Sequence, residues 1–258
     1  MTLEALIFDV DGTLADTEEL HRQAFNGAFY EHGLRWNWNP HVYAGLLHIS
    51  GGKERIRHYL EGLEIDRDER KRITAQIPDI HAAKTRLFTK LVESGRAPLR
   101  PGVVRLMREA HEAGVRLAVA STTTPANLEA LVSKYLGDDA VGWFSVVAAG
   151  DQVANKKPAP DIYLLVLRTL GVNPSECVAF EDSERGLRAA QAAGLFTVVT
   201  PTFWTTNEDL ASADLRLPHL GDPGAPLDDG AAIKAAGPWL ALATLEQLVH
   251  TRTPALMR

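Results

Sequence analysis

Five short apolar runs punctuate this chain: ALIF at 5–8, VRLAVA at 115–120, SVVAAG at 145–150, CVAF at 177–180 and FTVV at 196–199. Runs of this length, apolar at successive positions, are what strands buried on both faces look like. Between them lie amphipathic stretches with helix punctuation. In PGVVRLMREAHEAG (101–114), Pro101 can open a helix and Gly114 can close it, and the same grammar recurs in TTTPANLEALVSKYLG and DSERGLRAAQAAG. Strands alternating with helices imply right-handed βαβ units, hence an α/β fold with an open, doubly wound parallel sheet. Ligands in such folds bind at the carboxyl ends of the strands.

One region breaks the alternation. From about Thr17 to Gly95 the patterns are helical only, as in EELHRQAFNGAFYEHG, KERIRHYLEG and DIHAAKTRLFTKLVESG, each ending on glycine. It reads as a helical insertion directly after the first strand, which divides the chain into 1–16 with 96–258 as one domain and 17–95 as a second. Residues 221–238 read as a loop, LATLEQLV as a helix, and TRTPALMR as a frayed end. Trp36, Trp38 and Trp143 read as packing residues.

Composition closes off several classes. The 258 residues, 45% hydrophobic and 23% charged, suffice for a sizeable core. A single cysteine, Cys177, excludes an internal disulfide framework, and no stretch approaches the roughly 20 apolar residues of a membrane span. A formal charge of -6 without Lys/Arg runs argues against nucleic acid or an anionic membrane as partner. The N-terminus MTLEALIF has an acid where a signal peptide carries bases, so a cytoplasmic protein is expected.

The residues just past the strands carry the chemistry. Asp9 and Asp11 follow the first run, Ser121, Thr122 and Thr123 the second, Lys156 and Lys157 the third, and Glu181 and Asp182 the fourth. Four strand ends meet at one sheet edge, so carboxylates, hydroxyls and a lysine share a cleft. Asp9, a main-chain carbonyl and Asp182 suit a hard cation such as Mg²⁺. Ser121 and the start of the helix near Pro125 suit an anion, and Lys157 adds a positive charge. That set of groups fits phosphoryl transfer, which chiefly needs its charge neutralised on all sides.

DVDGT, the strand ending in Ser121, KKPAPDIY and FEDS resemble, in order and spacing, the four motifs of the haloacid dehalogenase superfamily. DGTLADTEELHRQAF, ISGGKERI and EDSERGLRAAQAAG are similar to its β-phosphoglucomutase and CbbY-like branch. The resemblance implies a helical cap at 17–95 and a Mg²⁺-dependent phosphatase of a sugar bisphosphate such as xylulose 1,5-bisphosphate. It makes Asp9 the nucleophile that becomes an aspartyl phosphate, and Asp11 the acid and base. Ser121, Thr122 and Lys157 would bind the transferring phosphoryl group. Asp9, the Asp11 carbonyl, Glu181 and Asp182 would hold Mg²⁺. Family members that cleave carbon–halogen bonds lack an acid at the position of Asp11, so a phosphomonoester is implied.

Glu18, His21, Lys53, Arg55 and Lys84 fall on helices of the insertion or their entry loops, and are expected to contact the substrate. The paired glycines before Lys53 let backbone approach a ligand. The expected partner is a small phosphorylated sugar. The protein is expected to be a monomer, cytoplasmic or, if a processed plant form, in the plastid stroma. Two alternatives stand: a phosphosugar mutase with the same motifs, and a phosphorylatable signalling module, which would be shorter and would need no helical insertion.

Overall fold

The computed structural model describes residues 2–251. Its sheet has six parallel strands in the order β3-β2-β1-β4-β5-β6: β1 (Ala5–Phe8), β2 (Arg116–Ser121), β3 (Phe144–Ala149), β4 (Cys177–Glu181), β5 (Phe196–Val199) and β6 (Leu215–Arg216). The first five coincide with the apolar runs to within a residue or so at either end. In β1, Leu6 and Phe8 enter a core cluster on one face while Ala5 and Ile7 enter another on the opposite face. Burial on both faces is why these strands lack polar alternation. β6 has only two residues and left no such run.

Helices cover both faces: α5 (Val103–Glu112), α6 (Pro125–Leu136), α7 (Asp161–Leu170), α8 (Glu184–Ala192), α9 (Asp229–Ala235) and α10 (Leu242–Thr251). Two expectations need correction. Helix α5 begins after Gly102 at its N-cap, leaving Pro101 outside. Residues 221–238, read as a loop, contain α9, capped by Asp228, whose side chain accepts from Ala231 N. The expected fraying of TRTPALMR concerns residues that, apart from Thr251, lie outside the described ones.

Four helices follow β1: α1 (Glu18–Glu31), α2 (Pro40–Leu46), α3 (Gly52–Glu61) and α4 (Arg67–Glu93). They enclose a separate aromatic cluster that includes Phe25, Phe29, Trp38 and Tyr43, with Trp36 packed against it. α4 starts at Arg67, twelve residues ahead of the Asp79 that its sequence suggests, and continues through Pro78. Its buried face, from Ile73 and Ile77 to Phe88 and Val92, outweighs the hydrogen bond that proline removes. The chain leaves and rejoins the sheet side by side: Ala15 bridges Leu99, and Arg100 N donates to Leu14 O at 2.8 Å. Among the described residues no helix is long and apolar enough to cross a membrane.

Candidate active site

The chain runs outward from β1 to β2 and β3, then returns to β4 on the other side of β1, so the direction of winding switches between β1 and β4. That switch point opens a crevice at the carboxyl ends of the strands. Parallel pairing sets Phe8 beside Phe180, their rings stacked at 4.5 Å, and Asp9 N donates to Phe180 O at 3.0 Å. Register alone therefore brings Asp9 level with Glu181 and Asp182.

At the base of the crevice, buried Lys157 Nζ donates to Asp9 Oδ1 (2.7 Å) and to Glu181 Oε1 (2.6 Å), which also accepts from Tyr163 OH at 2.5 Å. Glu181 can stand there because residue 186 is glycine: a Cβ would lie 1.8 Å from Glu181 Oε2. Burial pushes Asp9 up to about 7, with the neighbouring carboxylates Glu181 and Asp11 adding to the rise and Lys157 opposing it. Burial would also strip the charge from Lys157, but Asp9 and Glu181 outweigh it and raise the ammonium above its ordinary range.

Asp182 lies 5% exposed, and burial first, then Asp9 and Glu181, push its carboxyl well above the usual range. Its Oδ2 accepts from Thr205 Oγ1 at 3.3 Å, and a Cβ on Gly12 (φ +83°) would sit only 2.3 Å from that oxygen. Three buried acids, Asp9, Glu181 and Asp182, offer oxygens within 4.8 Å of one another. So much negative charge beside one lysine lacks a counter-ion, and an all-oxygen donor set fits a hard divalent cation such as Mg²⁺.

Asp11 sits one turn further out. Its Oδ1 accepts from Thr17 Oγ1 and from His21 Nε2, each at 2.7 Å, while buried Lys84 Nζ donates to His21 Nδ1 at 2.7 Å. An ammonium only donates, so Nδ1 is the acceptor and the ring carries its proton on Nε2, facing Asp11. Burial raises the Asp11 carboxyl, but His21, Thr17 and Lys84 together hold it below the usual carboxylate range. Phe88 stacks on the imidazole at 3.9 Å and fixes its plane.

The cleft, about 880 Å³ with its open mouth included, extends from these acids to the helical layer. Ser121, Thr122 and Lys157 line it from the strand ends, and Glu18, His21, Arg55 and Lys84 from the helical layer. Arg55 is buried; it donates to Tyr43 OH (2.9 Å) and Ile49 O (3.3 Å), and Tyr43 OH donates to Glu18 Oε2 (2.6 Å). Lys53 is placed differently. Its ammonium pairs with Asp151 at 3.0 Å, outside the lining of the cleft. Lys156, which reads as a solvated neighbour of Lys157, bridges Glu54 (3.1 Å) and Asp151 (2.9 Å).

Several lining residues were not among the expected site residues. His81, pushed down to about 4 by burial and by Lys84 and Lys53, borders Gly52. Buried Asn127 donates from Nδ2 to Thr123 Oγ1 at 3.1 Å. Arg185, Thr205 and Glu208 complete the wall near Asp182. A helical spacing of His81 and Lys84 on one face of α4 is the one signal that could have found the first of them.

A sequence model of the haloacid dehalogenase-like hydrolases matches residues 3–194, three quarters of the chain, including all four strand ends just described. The chain belongs to this family. Among its relatives, the plasmid-encoded CbbY protein of Cupriavidus necator is 49% identical over 96% of this chain and 97% of its own. The crystal structure of CbbY from Rhodobacter sphaeroides with phosphate superposes with a TM-score of 0.78 at 49% identity, over 84% of this chain and 95% of that one. An Asp→Asn mutant of the same protein, in complex with xylulose 1,5-bisphosphate, gives 0.79 at 50% identity over the same shares. As a haloacid dehalogenase-like hydrolase, the chain carries the acids of its site on the two strands flanking the switch point.

Proposed function

We propose that this haloacid dehalogenase-like phosphatase hydrolyses a sugar bisphosphate, with xylulose 1,5-bisphosphate the best fit, and that residues 17–95 act as its substrate-covering domain. One observation carries the reading: Lys157 and Ser121 from the sheet's strand ends and Arg55 and Lys84 from the helical layer line a single cleft, so cations of both layers can act on one ligand that carries more than one anionic group. The complex of the R. sphaeroides relative with that bisphosphate supports it.

In the proposed reaction the Asp9 carboxylate attacks phosphorus while Lys157 and Ser121 hold the phosphoryl oxygens. Asp11, ionised in the resting site where it accepts from Thr17 and His21, takes up one proton from solvent as substrate binds and delivers it to the leaving sugar oxygen. The carboxylate so restored then takes a proton from the water that hydrolyses the aspartyl phosphate. His21, pinned by Lys84 and Phe88, keeps Asp11 oriented through both steps. Asp9 and Asp182, with the Asp11 carbonyl, would hold Mg²⁺, which when bound neutralises the phosphoryl charge. Glu181, tied to Lys157 and Tyr163, would steady the lysine and complete the acidic set.

Phosphate release measured across sugar mono- and bisphosphates tests the reading. Wild type should prefer the bisphosphate, and Arg55→Ala should lower its kcat/KM for the bisphosphate roughly 10- to 150-fold, the equivalent of one charged hydrogen bond. The monophosphates should lose far less. Equal use of both classes, or conversion of β-glucose 1-phosphate to the 6-phosphate without net phosphate release, would replace this reading with a mutase.

A further inference from the structure

Of the loop after β5, PTFWTT at 201–206, only Thr205 enters the roles above. It leaves the sheet at Thr200, whose N donates to Glu181 O at 2.8 Å. It then braces itself: Thr202 N donates to Thr205 Oγ1 (2.9 Å) and Trp204 N to Thr202 Oγ1 (3.1 Å). Thr205 Oγ1 is also the group that donates to Asp182. From this rigid turn Trp204 crosses to the helical layer and packs, half-buried, against its aromatic cluster. Its ring meets Tyr43 edge-on, centroids 5.6 Å apart at 88°. Phe203, 80% exposed, backs it from the solvent side at 5.6 Å.

Tyr43 is the residue that holds Arg55 and Glu18. Its hydroxyl bonds both, and the guanidinium lies 5.2 Å from its ring centroid. A side chain of the sheet's own loop therefore presses on one side of the ring whose hydroxyl bonds two lining residues of the cleft, Arg55 and Glu18. The contact thus ties the loop after β5 directly to the helical layer.

We infer that Trp204 is a positioning residue for substrate selection: by docking on Tyr43 it holds the helical layer closed and fixes Arg55 and Glu18 against the remote end of the ligand. The inference rests on the bisphosphate reading, and it deepens that reading by assigning part of the selectivity to a residue outside the helical layer. A ligand that reaches Arg55 gains from the contact. A lone phosphate at the base of the cleft gains little.

The test uses the full chain with Mg²⁺ in an inactive Asp9→Asn background. Calorimetric titration with xylulose 1,5-bisphosphate and with inorganic phosphate should show Trp204→Ala weakening the bisphosphate about 5- to 20-fold, an aromatic contact plus the ordering it supplies, with phosphate changed less than about twofold. Trp204→Phe should recover most of the loss. Equal weakening of both ligands, or none, would overturn the inference. In parallel, dye pairs on Lys71→Cys and Arg168→Cys should report longer distances in ligand-free Trp204→Ala than with Trp204 intact. Unchanged distances would also overturn it, whatever the bisphosphate does. Bisphosphate binding no tighter than phosphate with Trp204 intact would instead sink the substrate reading, while the distance measurement still judged Trp204.

Discussion

Lys84 is the side chain whose charge state most exposes how the far end of the cleft works. Burial, with Arg55 adding to it, pushes its ammonium down to about 8 against the pull of Asp11 and Glu18. Below that pH it is a cation lining the cleft with Arg55; above it the cleft loses a positive charge that the proposed bisphosphatase would use. The KM for the bisphosphate should therefore rise as pH passes about 8. Lys84→Arg, whose guanidinium stays charged, should lack that rise; the same alkaline limb in both proteins would count against the assignment. Stability should move the other way. Between about 8 and the ordinary lysine value of 10.5, the folded chain binds fewer protons here than the unfolded one, so this group's contribution to stability grows with pH across that window.

At the scale of elements, a ladder of alternating charge joins the helical layer to the sheet domain. Lys53 and Glu54 at the start of α3 interleave with Asp151 and Lys156 from the loop between β3 and α7. Hydrogen bonds from Lys156 and then Lys53 pull the Asp151 carboxyl down to about 2. Each such exposed pair contributes about 0 to 1 kcal/mol and is screened over ~10 Å at 0.1 M salt. Asp151→Asn should thus raise the KM for the bisphosphate by about two- to fivefold in dilute buffer and have little effect near ~0.5 M salt. A salt-independent effect would assign Asp151 some other task.

Elements also show what could be read beforehand. β1 to β5 were legible because burial on both faces leaves an unbroken apolar run; Asp9, Asp11, Ser121, Glu181 and Asp182 because each stands at or just past the end of one, and Lys157 because it lies in the loop that follows the third. β6, two residues long, offers no period. Pro78 hides the first half of α4, since a helix breaker overridden by burial looks in sequence like a boundary. Lys53 was expected to face the substrate because a lysine after paired glycines suits a phosphate; its true partner, Asp151, is 98 residues away. Trp204 and Tyr43 meet across a still longer gap, and no local pattern announces such a contact.

For the whole molecule, the family match stops at residue 194, yet the core does not. Leu220, Leu240 and Leu245, none more than 4% exposed, fill the same cluster as Leu6 and Phe8. Leu245→Ala should cost about 2 to 5 kcal/mol in urea unfolding. Deleting 219–258 removes several such side chains, and their sum exceeds the roughly 5 to 15 kcal/mol that holds a typical protein folded. The shortened chain should show no cooperative thermal transition; a sharp one would mean that the C-terminal helices only decorate the sheet.

The bridge between Ala15 and Leu99 has a consequence for descent as well as for motion. Because the two joins lie side by side, a stretch of any length can be spliced between them without parting the strands. The inserted helices are thus a cassette: exchanged together with the side chains rooted in the main core, Leu20, Ala24, Phe88 and Val92, they would bring a new selectivity to an unaltered pair of aspartates. One scaffold can in this way diversify its clientele while its chemistry stays put.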